Sequence, residues 1–557
     1  MEVSELVRTL LGKRGIVEEH HIAEFLSPDY ELHTHSPFLL EGMERALVRL
    51  FAAMAAGERI AVYADFDCDG IPGAAVLSDF FLKIGYENVE IYLPHRDREG
   101  YGFHIEAIEQ LATRNVGLII TVDVGTTALD AVAFAKTKGI DVIVTDHHEI
   151  TGALPDAVAV LNPKLGNYPF RDLCGAAMAF KLVQAALAEG KKRELKQFTQ
   201  IQDGWEKWLL DLVAIATVAD LVPLVGENRV LVHWGLRVLR KSPREGIVAL
   251  CKALRLRREE LREDDIAFSI APRINAASRM DEPDLAFRLL TTQNRDEAEK
   301  LAAHLEELNA KRKGVVAGIV KQAKKSAAQR YTAEEKIVVL GNPEWKPALM
   351  GLAANSVMED RGGVVCMWGR DALGRLKGSC RSDGSVSIVE LFAASGDALI
   401  EYGGHAKSGG FSVSSERVHQ LPEALTKAAE QLSTASPVET SLIDAIISLS
   451  EISWPLFDDV SRVGPFGIGN PKPTFRFSDV VITGVKRFGK EQNHVELMLE
   501  DRRTGARARG YDFFRSPDDF TATPEPGLTV GLHAYLERDS YRRALALRIT
   551  DVLPAGA

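Results

Sequence analysis

Between Arg59 and His148, short and almost wholly apolar runs alternate with helical patterns, and this alternation constrains the fold more than any other feature. Ile60-Ala61-Val62-Tyr63-Ala64 predicts a strand, followed by a helix over about Gly73–Ile84 and a strand over Val89–Leu93. A helix over about Ile105–Thr113, a strand over Gly117–Val122, a helix over Thr127–Lys138 and a strand over Val142–Thr145 continue the series. A strand covered on both faces reads as an unbroken apolar run, and helices crossing between parallel strands supply that cover. The expected class is therefore α/β with a buried parallel sheet. Three strands end in acid or imidazole: Asp65, Asp67 and Asp69; Asp123; and Asp146-His147-His148. The carboxyl ends of strands in an open parallel sheet line one crevice, so these groups should meet.

Elsewhere the pattern changes by region. Residues 1–55 read as helical with a break at Ser27-Pro28, and 170–290 as mainly helical with an exposed charged stretch from Lys191 to Lys196. Residues 293–329 form a charge-rich helical pattern without proline, expected to connect two lobes. An α/β pattern returns with Lys336–Gly341, a helix from about Leu349, Val364–Trp368 and the glycine-rich Tyr402–Phe411. Ser433 to Pro437 has linker composition, and strands over Val481–Val485, Val495–Leu499 and Leu545–Ile549 suggest a small β-barrel. The expected division is a helical segment 1–45, a catalytic domain 46–292, a connecting helix 293–330, a second α/β domain 331–437 and a barrel 438–557.

Carboxylates gathered in one crevice repel unless a cation joins them. Oxygen ligands with one or two imidazoles suit Mn²⁺ or Mg²⁺ better than a soft-ligand zinc site. Two such ions about 3.5–4 Å apart clamp the attacking water and leaving oxygen of a phosphoryl group. Taken alone, Asp65-Phe66-Asp67-Cys68-Asp69-Gly70 could equally be turn and capping chemistry, since Asp and Gly are common turn residues. It is no EF-hand, lacking the glutamate at loop position twelve, and neither a phosphate-cradling GxxxxGK[ST] nor a strand-linked GxGxxG is present. Cys68, Cys174, Cys251, Cys366 and Cys380 show no CxxC, so neither a disulfide scaffold nor a zinc ribbon is expected. The net charge of −11 argues against a basic coat protein but permits a local basic groove. An acidic, polar N-terminus and the absence of any run of 18 apolar residues lead to the expectation of a soluble cytoplasmic protein with no membrane contact.

These motifs, in this order, resemble the DHH phosphoesterase superfamily, and within it the bacterial single-strand-specific DNA exonucleases. The triplet is Asp146-His147-His148. The accompanying motifs are the Asp65–Gly70 hexapeptide, Leu93-Pro94-His95-Arg96 with Glu99-Gly100-Tyr101-Gly102, and Thr121-Val122-Asp123-Val124-Gly125. Asp220 in Ala219–Leu224, Pro272–Met280, Tyr402–Phe411 and Pro465–Pro471 complete the set. The resemblance implies a DHH domain joined by a long helix to a smaller α/β DHHA1 domain, plus a C-terminal OB-fold.

It also implies roles. Asp67, Asp69, Asp123, His147 and Asp220 look like metal ligands for two Mn²⁺ or Mg²⁺ ions, with Asp65 a further ligand or neighbour. Asp146 would orient the ligand histidine, and His148 would touch the scissile phosphate. Arg279, Arg273 and Ser278 should bind a neighbouring phosphate, while Gly404 and His405 approach the nucleic-acid backbone. Lys407 departs from the family's usual small residue, and the expectation is that it adds a phosphate contact or alters the terminal pocket. The implied activity is 5′ to 3′ hydrolysis of single-stranded DNA to nucleoside 5′-monophosphates in repair and recombination. A single-strand-binding protein and a helicase are candidate partners of a monomeric enzyme. The alternatives are a related phosphoesterase acting on short oligonucleotides or cyclic dinucleotides, and a non-catalytic nucleic-acid-binding scaffold.

Residues 486–515 are rich in basic side chains, and Lys486, Arg487, Lys490, Arg507 and Arg509 form a candidate DNA track. Phe488, Tyr511, Phe513 and Phe514 are candidate stacking faces; a solvated charged surface over ordinary core aromatics is the competing reading. Cys68 is expected to be a packing residue, as are Trp205 and Trp208.

Overall fold

The computed structural model describes residues 3–432, 443–489, 492–539 and 542–556. The chain forms two compact units: one of His35–Val222 with Trp234–Val438, the other of Met1–Thr34, Pro223–His233 and Glu439–Ala557.

In the larger unit, β1 (Arg59–Ala64), β2 (Val89–Tyr92), β3 (Val116–Val122), β4 (Asp141–Thr145) and β5 (Ala159–Leu161) form a sheet of order β2-β1-β3-β4-β5. Every pairing in it is parallel. From Ile60 to Ala64 the first strand is fully buried, which is why its run is apolar throughout. The helix after it spans Gly70–Ile84 and begins earlier than the hydrophobic pattern suggests. Its start is set by Asp67, whose Oδ1 accepts the N–H groups of Asp69 and Gly70. A Cβ at Gly70 would lie 2.3 Å from the Asp65 carbonyl oxygen, so the hexapeptide can close so tightly only with glycine there.

A helix of 36 residues, Arg295–Arg330, links this region to a second sheet. Its buried residues fall in two groups, Ala298 to Asn309 and Ile319 to Ala327. That sheet has the order β6-β7-β8-β10-β9, from β6 (Ile337–Gly341), β7 (Val364–Arg370), β8 (Leu376–Ser382), β9 (Glu401–His405) and β10 (Ser408–Val413). Its third strand lacks the continuous apolar signature because burial alternates along it, placing Lys377, Ser379 and Arg381 on the wetter face. The glycine-rich Tyr402–Phe411 becomes the hairpin of β9 and β10. Cys366 and Cys380 occupy paired positions on adjacent antiparallel strands and form a disulfide, which their sequence spacing did not suggest. Cys68 is buried as expected. Trp208 is not a core residue: it is 48% exposed, and with Trp205 it lines an open cavity of about 630 Å³.

The smaller unit is a closed barrel of five strands, β12 (Phe475–Phe488), β13 (His494–Asp501), β14 (Arg507–Asp512), β15 (Thr529–Asp539) and β16 (Ala544–Pro554), with β11 (Ala445–Ile446) added beside the first. Residues 1–34 do not stand apart as the N-terminal part of a separate 1–45 segment. Their amphipathic helices bury Val7, Leu10, Leu11 and Ile22 in the barrel's own core. Arg14 fixes the attachment through Asn470 and the Pro471 carbonyl. Arg229, from within the expected catalytic domain, bonds the carbonyls of Phe25 and Val463 in this unit. The expected linker Ser433–Pro437 lies outside the described residues. No helix among the described residues is long and apolar enough to cross a membrane.

Candidate metal centre

The ends of β1, β3 and β4 bring the expected groups together. Ligand atoms of Asp65, Asp67 and Asp123 form one group within 4.8 Å; Asp69, His147 and Asp220 form another; Asp123, His147 and His148 form a third. His147 Nε2 lies 3.2 Å from Asp123, 3.6 Å from Asp220 and 3.7 Å from Asp69. Asp123 is thus shared between neighbouring clusters. Its backbone is left-handed, φ 61°, a conformation that L residues other than Gly, Asn and Asp seldom adopt. Its own N–H bonds Thr145 O at 2.9 Å. Gly175 packs against it, where a Cβ would fall 2.5 Å from that of Asp123.

Asp67 and Asp69 are held by backbone. Asp69 accepts N–H groups from Gly175 and Ala176 at 2.6 and 2.7 Å, at the start of the Gly175–Lys192 helix. These amides favour its charge, yet burial and the neighbouring Asp67 push it up to about 6. Burial followed by mutual repulsion raises Asp65, Asp123 and Asp220 well above the ordinary carboxylate range. Oδ1 of Asp65 and Oδ1 of Asp123 are buried without any hydrogen-bond partner. Two orphaned oxygens among carboxylates that resist ionisation are what a divalent-cation site looks like before the cation is counted, so these residues fit the expected ions. Burial and the neighbouring His148 lower His147 to about 3, leaving it the neutral imidazole that a ligand must be.

Asp146 has a different role from the one the resemblance implied. Its Oδ1 bonds Nδ1 of His148 at 2.7 Å, not the ring of His147, from which it takes only the backbone N–H. Its other oxygen accepts the Thr126 N–H. Burial opposes charge on His148, but the Asp146 bond and charge outweigh it and raise the imidazole's affinity for a proton. The Tyr101 hydroxyl lies 3.2 Å from this ring.

Arginines adjoin the centre. Arg279 is half-buried and donates Nη1 to Ala348 O at 2.6 Å, at the start of the Pro347–Arg361 helix. Burial and then like charge from Arg96, Arg312 and Arg381 press against its protonation. Arg96 stacks its guanidinium 4.6 Å from the Phe66 ring and senses Asp65 and Asp67. Such a collection of cations calls for an anion. Arg96 and Tyr101 stood inside quoted motifs without an assigned role; Arg381 carried no signal, since its strand was not foreseen.

Other expectations need correction. Arg273 is committed to Glu306, with bonds of 2.8 and 3.2 Å, and to Ser269 O. Ser278 is buried and donates to Asn275 O. Gly404 serves the hairpin: φ is +145°, and a Cβ would meet Ser408 O at 2.3 Å. Lys407 is exposed, and its carbonyl accepts the Ser382 N–H. His405 does lie within electrostatic reach of His148 and Lys164, which with burial lowers its pKa. On the barrel, Arg509 is held between Glu496 and Asp539, and Arg507 pairs with Glu500 at 2.8 Å. Lys486 and Arg487 are exposed, and Lys490 lies outside the described residues.

Two family models match the chain: the DHH family N-terminal domain over residues 59–217 and the RecJ OB domain over 443–551. The single-stranded-DNA-specific exonuclease RecJ of Haemophilus influenzae is 32% identical over 482 residues, covering 84% of this chain and 83% of that protein. The chain belongs to the RecJ family. RecJ of Bacillus subtilis is also 32% identical, across 92% of this chain; the chain spans only 63% of that relative's length. The crystal structure of RecJ from Thermus thermophilus with Mn²⁺ superposes with a TM-score of 0.79 at 26% identity, covering 100% of this chain and 76% of that one. Its Mg²⁺ form gives 0.74. The RecJ likeness accords with the parallel DHH sheet and the closed barrel, and the metals in those neighbours match the donor set here.

Proposed function

We propose that the chain is a metal-dependent exonuclease that hydrolyses single-stranded DNA from the 5′ end and releases nucleoside 5′-monophosphates. The observation that carries this reading is the adjacency of two opposite charge collections: buried, under-satisfied carboxylates beside half-buried, under-neutralised arginines. A phosphodiester bridges them, with the reacting phosphoryl group over the acids and a neighbouring phosphate against the arginines.

Divalent ions held by Asp65, Asp67, Asp69, Asp123, His147 and Asp220 would supply Lewis acidity and lower the pKa of the attacking water. The chain's own groups do the rest. Asp146 fixes the His148 ring through Nδ1, which leaves Nε2–H, beside the Tyr101 hydroxyl, as a charge-assisted donor to a phosphate oxygen. Arg279, anchored on Ala348 O, holds the adjacent phosphate, and Arg96 balances the inner edge of the acidic cluster. The barrel supplies a second single-strand surface, on which Phe513 and the 82% exposed Phe514 are the stacking faces. The reading extends to a cytoplasmic monomer acting in repair and recombination, on strands opened by a helicase and covered by a single-strand-binding protein.

The test uses Mn²⁺ with end-labelled single strands, matched duplex, RNA and a dinucleotide, alongside Asp67→Ala and His147→Ala. Mononucleotide release from the 5′ end of single-stranded DNA, lost in both variants, is expected. Cleavage confined to dinucleotides favours the short-substrate phosphoesterase, and binding without cleavage the scaffold.

A further inference from the structure

The barrel presents one aromatic side chain in a way that its backbone resists. Phe514 lies two residues beyond β14, is largely exposed and has a left-handed backbone, φ 55°. A bulky residue seldom adopts that conformation, and strain of this kind persists only where the surroundings over-determine it. A large apolar ring also gains nothing from standing in water. The side chain that offsets these costs is His494, the first residue of β13. Its Nδ1 accepts the Phe514 N–H at 2.9 Å. The two rings stand nearly perpendicular, with centroids 4.8 Å apart, which leaves at least one face of Phe514 open.

The imidazole is itself clamped. It packs edge to face with Phe488 and Phe513, at centroid distances of 5.1 and 5.3 Å. A Cβ at Gly489, φ +89°, would lie 2.8 Å from its Cδ2, so glycine is what lets the chain after β12 close over the ring. The Asn493 carbonyl oxygen also lies 2.9 Å from Nδ1. One nitrogen cannot donate to that carbonyl and accept the amide at once, so the Phe514 bond requires the tautomer protonated on Nε2. Phe513 is placed differently, since the Arg548 guanidinium already lies 4.4 Å from its ring centroid.

We infer that His494 is a positioning residue: it holds Phe514 in the left-handed conformation so that an unpaired base can stack on the ring. The inference rests on the proposed exonuclease reading, in which the barrel binds single strands. It gives the task of presenting the stacking face to a residue that does not itself touch the strand. A ring fixed beforehand loses little freedom when a base arrives. Without the Nδ1 bond, the segment can leave the left-handed well and take the ring with it. Every base has a π-face, so His494 governs affinity for single strands rather than preference for a sequence.

The test compares wild type, His494→Ala, His494→Asn, His494→Gln, Phe514→Ala and the double variant His494→Ala with Phe514→Ala, all in the full-length protein. Asparagine carries its acceptor where Nδ1 stands, and glutamine where Nε2 stands. In metal-free buffer, where no strand is cut, His494→Ala and His494→Gln should weaken binding of an oligothymidylate about fivefold to tenfold, as Phe514→Ala does. His494→Asn should bind like wild type. Adding His494→Ala to Phe514→Ala should weaken binding no further. Hydrogen exchange at the Phe514 amide should quicken in the Ala and Gln variants and stay slow in the Asn variant. With Mn²⁺, His494→Ala should raise KM on single-stranded DNA while kcat changes little. Equal losses in the Asn and Gln variants, or additive losses in the double variant, mark a packing role and overturn the inference. So does wild-type exchange at Phe514 in a folded His494→Ala protein, or unchanged binding by Phe514→Ala. A wild type that releases no nucleotide from single strands defeats the exonuclease reading instead, while the metal-free binding comparison still tests His494.

Discussion

The two charged regions of this chain treat charge in opposite ways. At the strand ends of the first sheet, like charges are collected and left without partners: Asp65 and Asp123 keep buried oxygens unbonded, and Arg279 is surrounded by other arginines. On the barrel, part of the basic run that looked like a DNA track is paired off, with Arg509 between Glu496 and Asp539 and Arg507 on Glu500, while Lys486 and Arg487 stay exposed. A functional charge is one the fold declines to neutralise. A basic run in sequence says nothing of that until its partners are known.

The comparison can be broken most directly at the metal centre. His147→Ala removes a group shared among Asp69, Asp123 and Asp220 and should lower turnover by about 10²–10³-fold or more. Retained activity in a steady-state assay would mean the cluster is capping chemistry after all. Arg279→Ala should cost about 10–100-fold in kcat/KM, the worth of a charge-assisted bond to phosphate. An effect below twofold would move the anion site elsewhere.

A thermal melt against pH sharpens the same side. With Asp69 up to about 6 and Asp65, Asp123 and Asp220 raised further above their ordinary values, the metal-free fold holds protons that an unfolded chain releases near pH 4. The fold binds more protons than the unfolded chain over that window, so these groups lose stability for the metal-free protein as pH rises through it. Mn²⁺ must displace the same protons. Its stabilising shift should therefore be large at pH 7 and fade as pH falls below about 6. A shift independent of pH would separate the ions from these carboxylates.

Smaller effects belong to the barrel. Phe514→Ala should weaken binding to single-stranded DNA by about fivefold to tenfold, as loss of one stacking face does. Lys486→Ala should reduce the salt slope of binding by about 0.7 if it meets a phosphate. Arg509→Ala should leave that slope unchanged and instead lower barrel stability by about 1 kcal/mol, since its charge is already matched by the buried Glu496 and the half-buried Asp539. A salt slope that falls with Arg509 rather than Lys486 would reverse the assignment of paired and available charge.

Much of this was legible in the sequence. Burial on both faces forces β1, β3 and β4 to be apolar, so their runs gave away a parallel sheet, and a carboxylate after such a run could only point into the crevice at the strand ends. The 36-residue helix was equally plain, because nothing in it interrupts helical periodicity. The third strand of the second sheet was not: with one wet face it alternates, and Leu376-Lys377-Gly378-Ser379 carries no apolar run. Nor could spacing tell that Asp146 serves His148, that Glu306 absorbs Arg273, or that residues 1–34 belong to a barrel built from the other end of the chain. Periodicity and burial are local consequences of sequence, so the sequence by itself determined the class of fold and which ends of strands would carry the acids. Which charges find partners depends on side chains meeting across hundreds of residues, and only the tertiary structure decided that.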